Sequence, residues 1–415
     1  MSVVRRRDQP GIDAGPAHRL CKVIAMAPTI SKIGTISFCL SAVTSTLVMF
    51  IAVRNSLNRD LTEYVLPWFA QLTEHGLRAI SGAYSDYPPT YLYLLATLAP
   101  VHPVISDVVL IKSVSMAFTF VAAFIVYLIA FEIKMDRRIS AVAGAGVLIL
   151  PTVTMNSAYW GQSDIIYSTF VLGFVLFSLK GAPRRAVFCL GLAFSFKLQT
   201  IFIAPYALYL ILRRRIALQH LIAIPMVYAA AMFPAWFMGR PALELATIYL
   251  NQIDEYDGLS MSAPNLYRII QHFQVIDYQT GVWTGLILAV AVGIALAVAA
   301  QRFRDNLQTD LLVATASVIL MPFILPKMHQ RYFFLADVFT YVLIFVFRRA
   351  WPLAVAMQIG SLSAYSGYLF AWHFGPDFGA LAVSVATVGI VWMCFVYART
   401  TGRQSVQPPR HALVS

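Results

Sequence analysis

The sequence predicts an all-α polytopic membrane protein of about twelve transmembrane helices, and three observations predict it. The 415 residues are 59% hydrophobic and only 12% charged, with a mean hydropathy of +0.70. A soluble domain carries about a quarter charged residues, so too little polar surface is present to cover a water-soluble particle. Apolar runs recur along nearly the whole chain, most of them near the ~20 residues a helix needs to cross a bilayer. Basic residues gather in alternate connections, as they do when loops face the cytosol and the outside in turn.

The N-terminal segment is polar to about Ile30 and opens on Arg5, Arg6 and Arg7. No secretory signal peptide is legible. The run Ile33–Val53 is long for a signal and lacks a small-residue cleavage site, so it is the expected first span. Further spans are expected at Val104–Phe131, Ile139–Asn156, Ile165–Leu179, Ala186–Phe196, Thr200–Leu212, Ile216–Phe237, Gly281–Ala300, Leu311–Leu325, Tyr332–Phe347, Trp351–Trp372 and Phe378–Tyr397. Ala186–Phe196 and Thr200–Leu212 are too short to cross alone and read as bent, broken or tilted helices. The organisation is a cytoplasmic tail (1–32), one transmembrane domain (33–398) and a second cytoplasmic tail (399–415). Two long outer loops lie at 54–103 and 239–280. The first holds an amphipathic stretch, Tyr64 to Ile80, and an apolar one, Thr90 to Ala99, both expected to lie in the membrane interface.

With the N-terminus inside, 22 of the 31 basic residues fall on the inner side and both termini are cytoplasmic. The net charge of +12 then reflects the loop-charge rule and calls for no nucleic-acid partner; membrane lipids are the expected surroundings. Of the 19 acids, 13 fall on or near the outer side. Acids contribute little to orientation, so their asymmetry points to a working face outside the cytosol. Four cysteines, Cys21, Cys39, Cys189 and Cys394, show neither disulfide nor zinc spacing.

Five outer constellations carry potential chemistry. Asp60, in Asn58-Arg59-Asp60, is a carboxylate at the mouth of a bundle, able to take a proton from an attacking hydroxyl or to cap the next helix. Asp86-Tyr87-Pro88-Pro89 forms a turn from which a helix can start; its tyrosines suit the interface or a sugar face. Trp160-Gly161-Gln162-Ser163-Asp164 offers an aromatic surface with polar groups for a hydroxyl-rich ligand, or an ordinary loop with Asp164 as N-cap. Lys197-Leu198-Gln199 sets a lysine between two short apolar segments, either functional or snorkelling. Lys327-Met328-His329-Gln330-Arg331 places three potential cations outside, against the orientation rule, which favours phosphate binding over headgroup contact.

At these motifs the chain resembles the GT-C class of polytopic glycosyltransferases. It is most similar to bacterial mannosyltransferase-like members and more distantly to the dolichyl-linked glucosyltransferases of the endoplasmic reticulum. The motifs match in order and placement from the first outer loop to the tenth span. The resemblance implies transfer of a sugar, a mannose-like hexose, from a polyprenyl-phosphate donor to a glycan, lipid or protein acceptor on the outer face. It implies Asp60 as general base and the His329 region, with Lys327 and Arg331, as the holder of the donor phosphate. Asp86, Tyr87, Trp160, Gln162, Asp164, Lys197 and Gln199 are then expected to line the sugar and acceptor site. The related eukaryotic motif has an acid after the histidine, where this chain has Gln330. The class includes metal-dependent and metal-independent members. No metal cluster is legible, although Asp60 with Asp86 or Asp164 offers carboxylates to a divalent cation. A transporter or flippase is the alternative reading, since many spans, broken central helices and an intramembrane lysine occur there too; no repeat relating the two halves is legible.

Overall fold

The computed structural model describes residues 31–133, 135–254, 257–273 and 276–402. Most of both expected tails, with Cys21 and Lys134, lies outside the described residues. The architecture is all-α, with one two-residue parallel ladder, β1 (Ser260–Met261) on β2 (Met328–His329). The helices are α1 (Lys32–Val53), α2 (Leu66–His75), α3 (Pro89–Leu98), α4 (Asp107–Glu132), α5 (Arg137–Val147), α6 (Asp164–Leu179), α7 (Pro183–Phe196), α8 (Ala204–Leu212), α9 (Ala223–Phe237), α10 (Ala242–Asp254), α11 (Leu266–Gln271), α12 (Tyr278–Ala299), α13 (Leu307–Ile324), α14 (Phe334–Val346), α15 (Trp351–Leu369) and α16 (Gly375–Gly402).

Seven helical stretches among the described residues are long and apolar enough to cross a membrane. The shorter or more polar α6, α7, α8, α14 and α15 pack among them, so every expected span coincides with helix. The third span departs most from expectation: α5 stops at Val147, restarts at Pro151 and ends in a wide π-helical turn, Thr154–Trp160. Pro151 explains the break, because it donates no backbone N–H to the preceding turn and clashes with it. The short middle pair is broken at Lys197, whose extended backbone (φ −152°, ψ 140°) separates α7 from a tight turn, Leu198–Ile203, that leads into α8.

The two interfacial segments of the first loop form α2 with its flanking turns and α3. Trp68, Phe69 and Leu72 of α2 and Tyr91, Leu92 and Leu95 of α3 are buried. As the double proline suggests, α3 starts at Pro89. Thr90 Oγ1 donates to the Ser195 carbonyl at 2.6 Å, tying α3 to the end of α7.

Helices α6 and α13 are almost wholly buried and form the centre. In lipid the drive for such packing is close contact and hydrogen bonding, since tails are as apolar as leucine. Gly360 of α15 and Gly379 of α16 show what this requires: a Cβ on Gly379 would stand 2.7 Å from the Gly360 carbonyl.

The bundle has two unlike ends. At one, Arg215 makes two 2.7 Å bonds to Asp310, and Arg213 donates to the carbonyls of Ala300, Gln301 and Phe303. This end collects the α8, α12 and α13 connections and most described arginines. At the other end converge the exit of α1, the Trp160 turn, the α7–α8 break, β1, β2 and the exit of α15.

Candidate active site

Asp60 is delivered by a short polar exit from α1. Asn58 does the capping that an acid was expected to do: its Oδ1 accepts from the Leu61 N–H at 3.1 Å while its Nδ2 donates to the Trp160 carbonyl at 2.9 Å. Asp60 makes no cap bond, so its carboxylate is free to point inward, where it is 12% exposed. Oδ2 accepts from Trp160 Nε1 at 3.1 Å, Gln162 Nε2 at 2.6 Å and Arg331 Nη1 at 3.3 Å. Oδ1 accepts from the Tyr368 hydroxyl of α15.

Beside it lies a second carboxylate. Asp164 is not an N-cap, a position Ser163 holds. Its buried Oδ1 accepts from Lys197 Nζ at 2.6 Å and its Oδ2 from Asn156 Nδ2 at 2.9 Å. The lysine is buried, not snorkelling, and its ammonium also stands 4.8 Å from the Tyr87 ring centroid. Arg331 Nε is 3.8 Å from Asp164 Oδ2, so the guanidinium spans both carboxylates. Two anions and two cations balance in a site nearly closed to solvent, which a membrane interior demands.

The turn that sets Trp160 and Gln162 on the same carboxylate is a local device. Gly161 adopts left-handed backbone (φ 77°) and Gln162 N–H closes onto the Asn156 carbonyl at 3.0 Å. A Cβ at Gly161 would also meet Lys112 Cγ at 3.0 Å. Gly161→Ala is therefore expected to cost about 1–2 kcal/mol from backbone strain alone. An unchanged thermal midpoint in detergent would remove this account of the turn.

Several expectations need correction. Trp160 is fully buried, not an open platform: Tyr368 stacks on it (centroids 5.4 Å apart, 23° between planes) and Tyr365 meets it edge-on at 5.3 Å. Its indole spends its N–H on Asp60, which a buried tryptophan must do somewhere. Lys327 does not join Arg331. Its left-handed backbone (φ 61°) and its N–H bond to Leu259 turn it away, and its ammonium lies 5.5 Å from the Tyr278 ring at the start of α12. Asp86 is exposed, and no described contact joins its carboxyl to the Asp60–Asp164 centre; its backbone oxygen accepts from Gln252, and partial desolvation raises its carboxyl above the usual range. Gln199 faces Tyr332. Residues that sequence reasoning missed are Tyr368, Tyr365 and Lys112, each inside a run apolar enough to read as a span.

His329 is held in β2 against Met261 and packs on Tyr332, 5.2 Å between centroids. Burial, then the Arg331 and Lys197 charges, push its imidazole down to about 3. The imidazole beside Arg331 and Lys197 is thus neutral, with one N–H donor and one acceptor nitrogen. Because the unfolded chain protonates near 6.5 and the folded one near 3, stability carried by His329 falls as pH drops through that window. Between pH 6 and 8 the imidazole stays neutral, so wild type and His329→Gln should share their pH–rate inflections. An inflection near 6.5 that vanishes in the variant would show a protonated imidazole at work.

The two carboxylates do not form an open cation site, since Arg331 occupies the space they share. Among the described residues no group of three or more His, Cys, Asp or Glu converges as a metal site would.

Comparison with known proteins adds the family. The sequence model of glycosyltransferase family 87 matches residues 84–326, well over half of the chain. The matched stretch holds Asp86, Tyr87, Trp160, Gln162, Asp164, Lys197 and Gln199, while Asp60 and Arg331 flank it on either side. The comparison with curated proteins gives no match. A polytopic helical bundle with a closed polar centre at one end, and a family match of that extent, lead to one conclusion: the chain belongs to glycosyltransferase family 87, a family of GT-C-type membrane glycosyltransferases.

Proposed function

We propose that this enzyme moves a mannose-like hexose from a polyprenyl-phosphate donor to an acceptor hydroxyl on the non-cytoplasmic face. The observation that supports this most is the 3.3 Å contact between Asp60 and Arg331, from segments 271 residues apart. A base and a phosphate-binding cation are both needed at one anomeric carbon, and these two groups already meet.

In the reaction, a donor phosphate draws Arg331 toward itself, with His329 donating from the wall. Loss of Arg331 opens a lone pair on Asp60 Oδ2. The acceptor hydroxyl takes that place and gives its proton to Asp60 as its oxygen bonds to the anomeric carbon. The bond from that carbon to the phosphate oxygen breaks, and the lipid phosphate leaves with the electron pair. The guanidinium offsets that charge in a site screened from water. Lys197 holds Asp164 in place behind Arg331, Gln162 holds Asp60, and Tyr87 and Gln199 are left to meet sugar hydroxyls. The loop-charge rule supports a cytoplasmic basic end, and with it a site and acceptor outside and both termini inside.

Purified enzyme given labelled polyprenyl-phosphate mannose, glucose, galactose or arabinose, with and without chelator, tests the reading. Glycosylated product from the mannose donor is expected. Transfer from nucleotide sugars alone would overturn the lipid donor.

A further inference from the structure

Lys112 lies one turn into α4, deep in an apolar helix, and is fully buried. Its ammonium donates three bonds: to the Val53 carbonyl at 3.0 Å, the Ser56 carbonyl at 2.8 Å and Ser56 Oγ at 2.7 Å. None of these acceptors is a carboxylate. A buried lysine without an anionic partner is costly in a membrane. What offsets its charge is the C-terminal end of α1, whose last carbonyls and negative dipole end point at it, the Val53 carbonyl accepting from the Ser56 N–H as well.

The contacts of Lys112 extend beyond α1. Ser56 Oγ lies 2.8 Å from the Val53 carbonyl and 3.2 Å from the Tyr159 carbonyl, its one proton shared between them, and the ammonium stands 6.0 Å from the Tyr159 ring centroid. The lysine stem closes against Gly161. One turn further along α4, Ser115 Oγ donates to the Gln162 carbonyl at 2.7 Å. Lys112 and Ser115 therefore hold, from one rigid helix, the exit that carries Asp60 and the turn that carries Trp160 and Gln162. Those segments carry the carboxylate itself and two of its four hydrogen-bond donors, Trp160 and Gln162.

We infer that Lys112 is a positioning residue for catalysis: by clamping the α1 exit to the Trp160 turn it sets the orientation of the Asp60 carboxylate toward the acceptor. The inference rests on the assignment of Asp60 as base. A base must sit within hydrogen-bond reach of the proton it takes, and a displacement of about 1 Å costs about 10²-fold in rate.

Lys112→Met keeps the stem against Gly161 and deletes the ammonium. The expected result is a kcat about 10²-fold lower with donor KM within about threefold, because Lys112 touches neither donor nor acceptor; protein remaining monodisperse in detergent at the wild-type thermal midpoint completes the expectation. A kcat within threefold of wild type would overturn the inference. So would a fall in kcat that merely tracks a lowered midpoint and a raised KM, the signature of a structural role alone. If Lys112→Met does not fold, Ser56→Ala decides: it removes one acceptor and the link to Tyr159 while leaving the lysine in place. Lower kcat at unchanged KM supports the clamp and unchanged kcat rejects it. Asp60→Asn run alongside separates the two levels. An inactive Asp60→Asn beside a normal Lys112→Met refutes the clamp only, whereas an active Asp60→Asn refutes the base itself.

Discussion

Replacing Asp60 by Asn is expected to lower turnover by about 10²–10⁴-fold, the range that loss of a general base spans, with the protein still folded. The amide oxygen can go on accepting from Trp160 and Gln162, so the turn that frames the site survives. What is lost is the negative charge and the basic lone pair. Arg331 then keeps only Asp164, at 3.8 Å, as anionic partner, and donor affinity should stay level or rise slightly because the guanidinium is freer for phosphate. Single-turnover measurements with labelled donor separate the terms: transfer collapses while donor binding persists. Turnover within tenfold of wild type would take Asp60 out of the role.

The largest expected effect on stability belongs to Lys197→Met. It removes the partner 2.6 Å from a fully buried carboxylate. Breaking one side of a buried pair costs about 3–5 kcal/mol, because the remaining charge is stranded. Arg331 nearby relieves part of this, so the lower end of that range is expected. Adding Asp164→Asn should restore much of the loss, since no charge is then stranded and an amide at 164 can still bond Asn156. The measurement is a double-mutant cycle on unfolding in mixed micelles. Additive losses from the two substitutions would mean that the pair is not coupled.

Much of this was legible in the chain itself. An apolar run long enough to span has few choices in lipid: every backbone group must bond within its own helix. Counting runs therefore assigns each connection to one end or the other, and it put Asp60, Trp160, Lys197 and Arg331 together at one end of the bundle. The short middle runs read as bent, broken or tilted, because eleven to thirteen apolar residues around a lysine cannot cross alone; of the three, the structure has the break, at Lys197. The helix break at Pro151 and the wide turn after it were less visible, since the run Ile139–Asn156 carries no charge and reads as one span.

Within that end, linear spacing does not say which side chains touch. Lys327 and Arg331 are four residues apart, yet the left-handed residue at 327 and the β1–β2 ladder send one to Tyr278 and the other to Asp60. Trp160 read as an open platform because a flat ring in an outer loop often is one; two tyrosines from α15 cover it. Tyr368 and Lys112 lie in segments that read only as spans, so that only their neighbours across the bundle reveal a use.

Sequence by itself determined the fold class, the order of spans and the end at which polar chemistry gathers, because hydropathy and charge act on each segment separately through the bilayer. The tertiary structure decided the rotation of each helix about its axis and the pairing of each charge. Those depend on contacts between segments hundreds of residues apart, where burial leaves a carboxylate or an ammonium no solvent and packing selects which partner it meets.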